Sequence, residues 1–113
     1  MAPHITIRKA SATWVVRTTD GVIAESNAAL ELAEGSYAPV IYFPRTDIAM
    51  AFLDPSDTET TCPHKGPATY FSIAGQAETI KDAGWSYETP ISDVADIKDH
   101  IAFFTDKVTV EQL

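Results

Sequence analysis

The sequence predicts an all-β fold: a compact antiparallel two-sheet domain with one or two short helices, a single domain over residues 1–113. Three observations lead there. Apolar and polar residues alternate with a period of two along much of the chain, as half-buried strands require. Turn-forming residues punctuate these runs at short intervals, the spacing of an antiparallel β domain. No long segment repeats its apolar residues at the helical period.

The elements follow in order. Ile5 and Ile7 share one strand face, with Thr6 and Arg8 on the other. Over residues 13–18, Trp14 and Val16 alternate with Thr13, Val15 and Arg17. A long strand over residues 22–33 puts Val22 and Ala24, then Leu30 and Leu32, on one side, with a bend near Asn27. Asp20-Gly21 between the two runs is a favoured type I′ hairpin sequence. Further strands are predicted at 39–43, 58–62, 68–73, 85–88 and 100–105, and 108–112 returns after Asp106-Lys107 as a C-terminal hairpin. Ser92 is placed to cap a short helical turn over 93–98, with Asp93 and Asp96 near its positive end. Val94, Ile97 and Ile101 would then face the core. Thr46 or Asp47 could cap another turn through Leu53, in competition with a strand carrying Ile48, Met50 and Phe52 on one face.

Composition bounds the function. The 113 residues are 45% apolar and 10% aromatic, enough for one core, and 21% charged, too few for a solvating disordered chain. The longest uncharged stretch, residues 66–77, contains Pro67 and Gly75 and falls short of the ~20 apolar residues of a membrane span. The start, Met1-Ala2-Pro3-His4, has no signal-peptide pattern. Sixteen acids against eight bases give a net charge of −8, which repels nucleic-acid phosphates and anionic lipid alike. Neither nucleic acid nor membrane is an expected partner; a small-molecule ligand is. One cysteine, Cys62, excludes an intrachain disulfide and fits a reducing cytoplasm. The expected state is a monomer or homodimer.

The chemistry-bearing residues fall in three groups. In the densest, residues 60–70, Cys62, His64, Lys65 and Tyr70 are separated by Pro63, Gly66 and Pro67, which favour a rigid irregular loop. Cys62 reads either as a nucleophile or redox thiol, activated by His64 or Lys65, or as a small core cysteine beside a solvated lysine. The second group, residues 42–47, offers Asp47 as a base or as a turn cap, and Tyr42 as a core aromatic with a bonded hydroxyl. In the third, Trp85 and Tyr87 share a strand face and, with Tyr70, Phe71 and Trp14, could wall an aromatic pocket. No metal site is expected, because Cys62 and His64 form the only close ligand pair. No cofactor is expected either: the five glycines are too dispersed for a phosphate loop.

Several strings occur together in order: Tyr42-Phe43-Pro44 with Asp47, Thr60-x-Cys62-Pro63-x-Lys65-Gly66-x-Ala68-x-Tyr70, and Trp85-x-Tyr87-x-x-Pro90. With Ala24-Glu25-Ser26 and Ile101-Ala102-Phe103-Phe104, they resemble a bacterial and fungal family of uncharacterised small domains, known as a domain of unknown function. The resemblance implies a β-tent-like fold of two antiparallel sheets. Domains of similar shape usually hold structural zinc, but the paired cysteines are missing here. The family has also carried a nucleotidyltransferase label. Nucleotidyl transfer needs carboxylate-held Mg²⁺ and a phosphate cradle, and the sequence displays neither motif.

The resulting expectation is a small-molecule-binding domain, its pocket walled by Tyr42, Tyr70, Trp85 and Tyr87 and flanked by His64. Lys65 and Asp47 would orient a polar ligand there, with Lys65 reaching solvent. The alternative is a small enzyme with Cys62 and Lys65 as catalytic residues.

Overall fold

The computed structural model describes residues 4–113. It is all-β: 56% of it is strand and 11% is helical, the latter as short 3₁₀ turns. Ten strands form two antiparallel sheets. The strands are β1 (Ile5–Lys9), β2 (Trp14–Thr18), β3 (Gly21–Ser26), β4 (Leu30–Glu34), β5 (Val40–Pro44), β6 (Leu53–Cys62), β7 (Gly66–Ala74), β8 (Thr79–Ser86), β9 (His100–Phe103) and β10 (Thr109–Gln112). The larger sheet runs β1-β4-β5-β9-β8-β7-β6, and the smaller runs β10-β2-β3.

The two faces of the large sheet have different covers. Ile41, Phe43, Ile101, Phe103, Phe71 and Ile73 join Val16, Ile23 and Ala24 of the small sheet in one core. The intervening residues Tyr42 and Ala102 point the other way, with Leu32 and Ala68, and are covered by Tyr87, Val94 and Ile97. Burial on both faces explains why residues 40–43 and 101–103 read as unbroken apolar runs.

Several expectations are corrected. The long strand over 22–33 is two strands in different sheets, because the chain leaves the small sheet after Ser26 and enters the large one at Leu30. The predicted bend near Asn27 is thus a complete crossing. Within the small sheet, a bulge sets Val16 opposite Ala24 and Arg17 opposite Val22, so Ile23 is buried and Val22 is 51% exposed. The β2–β3 turn lies one residue earlier than the type I′ reading: Thr18 pairs with Gly21, and only the glycine has positive φ. The C-terminal hairpin is also replaced. β10 pairs with β2, and β9 lies between β5 and β8.

β8 begins at Thr79, six residues before the predicted strand, and ends at Ser86, leaving Tyr87 beyond it. Residues 45–52 resolve into 3₁₀ turns at Arg45–Asp47 and Met50–Phe52. The turn Ser92–Ile97 buries Val94 and Ile97, but Ile91 holds the cap position and Ser92 makes no side-chain cap bond. Among the described residues, no helix is long and apolar enough to cross a membrane.

Candidate ligand-binding site

Cross-strand register builds the site. Leu30 pairs with Tyr42, Tyr42 with Ala102, Ala102 with Trp85, and Trp85 with Tyr70, so one lateral row crosses five strands on one face. Ala102 is the smallest member and stands fully buried between two aromatics. Tyr42 and Trp85 meet edge-to-face at 6.3 Å. Two residues beyond Ala102, Phe104 adds to the same side, tilted against Trp85 at 4.5 Å and stacked on Tyr70 at 6.2 Å.

A cavity of about 210 Å³ opens on this face, walled by Tyr42, Tyr70, Trp85, Tyr87, Phe104, Tyr37 and three aliphatic residues, with Lys65 and Glu34 at its polar end. Glu34 follows Leu30 and Leu32 in the period-two phase of β4, which carries its carboxylate onto the apolar face. Lys65 comes from the opposite end of the strand order. β6 and β7 form a hairpin from Cys62 to Gly66, closed by residues 63–65, in place of the irregular loop expected there. Gly66 has φ +111°, and a side chain on it would meet the Thr89 carbonyl at 3.2 Å. Glycine therefore lets the segment after β8 cross closely over the hairpin, where the Ile91 N–H donates to the Lys65 carbonyl at 2.9 Å. That crossing sets Tyr87 against Lys65, with Nζ 5.9 Å from the ring centre.

Lys65 is thus buried, with a side chain 10% exposed, contrary to the solvent-reaching lysine expected. Its Nζ donates to Glu34 Oε1 at 2.6 Å, and Glu34 is 16% exposed. Burial alone would lower the ammonium pKa. The hydrogen bond to Glu34 and the nearby Tyr87, Cys62 and Glu34 together outweigh it, and the net displacement is upward. Burial also pushes the Tyr42 hydroxyl far above its ordinary range and raises that of Tyr87. All three groups therefore keep their protons across neutral pH, which makes Lys65 a fixed cation and a poor nucleophile.

The structure brings together Tyr42, Lys65, Tyr70, Trp85 and Tyr87, and leaves out three others. Asp47 lies on the side of the small sheet, where its Oδ2 accepts the Ser26 hydroxyl at 2.6 Å while Ser26 Oγ accepts the Ala28 N–H. The carboxylate facing Lys65 is Glu34, so the expected Lys65–Asp47 site is not formed. Cys62 packs with Tyr42, Ala68 and Tyr87 without lining the cavity, and half-buried His64 sits in the hairpin turn outside it. Tyr70 spends its hydroxyl on Thr60 at 3.0 Å. Among the described residues, no three His, Cys, Asp or Glu side chains form a metal-ligating group.

Fold and site together define a small two-sheet β domain with an aromatic cavity closed at one end by a buried ion pair. The family model described as Domain of unknown function (DUF427) matches residues 6–112, and the chain belongs to that family. No curated protein matches the chain.

Proposed function

We propose that the chain is a small-molecule-binding domain whose ligand seats between the Lys65–Glu34 pair and the aromatic wall of Tyr42, Trp85 and Phe104. The supporting observation is the buried pair itself: a lysine and a carboxylate 2.6 Å apart at the polar end of an apolar cavity. Burying two charges is costly, and replacing such a pair by apolar residues is often neutral or stabilising. Fold stability alone therefore does not account for it. Convergent polar groups in an aromatic hollow are the usual composition of a ligand pocket. The single cysteine can form no intrachain disulfide, which is compatible with a reducing compartment such as the cytoplasm.

The test is a ligand-observed magnetic-resonance screen of small polar compounds against the purified chain. At least one binder should lose its signal change with Lys65→Met and retain it with Asp47→Asn. If every binder is indifferent to Lys65→Met, the proposal fails.

A further inference from the structure

We infer that the ligand is a neutral amphiphile, with a carboxamide-type head on the Lys65–Glu34 pair and an apolar tail running past Ala38 into an adjoining groove. The inference rests on the proposed binding function and specifies its ligand.

The head follows from charge. Lys65 and Glu34 neutralise each other at 2.6 Å, so an anion entering the cavity meets the carboxylate and a cation meets the ammonium. In a largely desolvated site either encounter is unfavourable. An ammonium has three donors and a carboxylate two oxygens, and the pair uses one donor and one oxygen on each other. An uncharged group that presents an acceptor beside a donor can satisfy both partners at once. A primary amide is the simplest such group.

The tail follows from the neighbouring space. A second cavity of about 360 Å³ shares Ala38, Val40, Trp85 and Phe104 with the first and continues to Trp14 and Val110 of the small sheet. It therefore lies where the two sheets meet. Its walls are apolar apart from Thr105 and Asp106. Ala38 borders both cavities, is exposed and offers only a methyl group, so a chain leaving the first cavity for the second would pass over it. At about 210 Å³ the first cavity is smaller than the roughly 300–1,000 Å³ of typical ligand sites, and with the second it falls inside that range.

Both tryptophans line the second cavity, so intrinsic fluorescence reports its occupation. The intact chain is titrated with butanamide, hexanamide and octanamide, and with hexanoate and hexylamine as charged counterparts. Each added pair of methylenes should tighten Kd about tenfold while it is being buried. Hexanoate and hexylamine should bind at least about tenfold more weakly than hexanamide, the margin of one unfavourable charge contact. Ala38→Trp, read by ligand-observed magnetic resonance because it adds a fluorophore, should abolish the gain with chain length. Binding of butanamide with no gain on lengthening, or hexanoate binding as tightly as hexanamide, overturns the amphiphile while leaving a Lys65-dependent pocket standing. No response to any of the five compounds overturns it too, and only loss of Lys65 dependence in the ligand screen also removes the pocket. The chain-length series decides the matter in the unmodified protein, whether or not Ala38→Trp folds.

Discussion

Removing one partner of the Lys65–Glu34 pair tests how far that pair is buried. Glu34→Leu leaves the Lys65 ammonium with a side chain only 10% exposed and its hydrogen-bond acceptor gone. Breaking a fully buried pair costs about 3–5 kcal/mol, and access of water from the cavity reduces this to about 2 kcal/mol here. At ~2.1 cal/mol/K per residue, 113 residues give an unfolding entropy near 0.24 kcal/mol/K, so the midpoint should fall by about 8 °C. Lys65→Met should cost a similar amount, since it strands the Glu34 carboxylate in the same place. The double variant Glu34→Leu/Lys65→Met removes both charges and fills the space with apolar atoms, and should lie within about 1 kcal/mol of the unmodified protein. Urea unfolding of the four proteins completes a double-mutant cycle. Single variants within about 2 °C of the parent, with a double variant equal to their sum, would show a solvated pair with no coupling and refute the reasoning.

Three further outcomes are expected. Stability should hold from neutral pH to about 10 and then fall, because unfolded tyrosines ionise near 10 while folded Tyr42 and Tyr87 keep their protons. Lys65 acts with the same sign, since the unfolded chain loses the lysine proton first; Tyr42→Phe should flatten the fall by up to about 1.4 kcal/mol per pH unit, and an unchanged alkaline slope in urea unfolding would contradict this. Gly84→Ala places a methyl group 2.9 Å from the Ala102 carbonyl and 3.1 Å from Ile101 and Phe103, so it should cost about 2 kcal/mol by thermal melting, and a neutral effect would mean that β8 and β9 can separate locally. Ser26→Ala strands the Ala28 N–H and the Asp47 carboxylate, and should cost about 1–2 kcal/mol while leaving cavity binding unchanged; a loss of binding would place Asp47 in the site after all.

Strand identity was largely legible because period two survives wherever one face is buried. Assignment of strands to sheets was not. Residues 22–33 alternate on both sides of Asn27, and nothing local shows that Val22 and Leu32 belong to different sheets. The slip at Ile23 has the same character: one inserted residue in the pairing with β2 reverses which side chains are buried, and register is a property of the pair. β10 shows the limit most plainly. Asp106-Lys107 is adequate turn sequence, yet Val110 pairs with Val16 of the small sheet, and that choice depends on which edges are free.

The site divides along the same line. Residues 60–70 mark a lysine on a constrained backbone, though not its burial, and Tyr42, Tyr70, Trp85 and Tyr87 mark an aromatic wall, because proline, glycine and aromatic clusters are visible locally. The partner of Lys65 is 31 residues away in sequence and four strand pairings away across the sheet, from β4 through β5, β9 and β8 to β7. Its place just beyond Pro44, at the end of a predicted strand, favoured Asp47, which the structure sets beside the small sheet instead. A signal for Glu34 nevertheless existed. It is the one acid in phase with Leu30 and Leu32, on a face where a carboxylate is costly unless a cation meets it. Alternation broken by a charge on the apolar face therefore asks for a partner, and in an acidic chain with eight bases few can answer. Lys65, on a backbone restricted by Pro63 and Pro67, has less backbone entropy to lose in doing so.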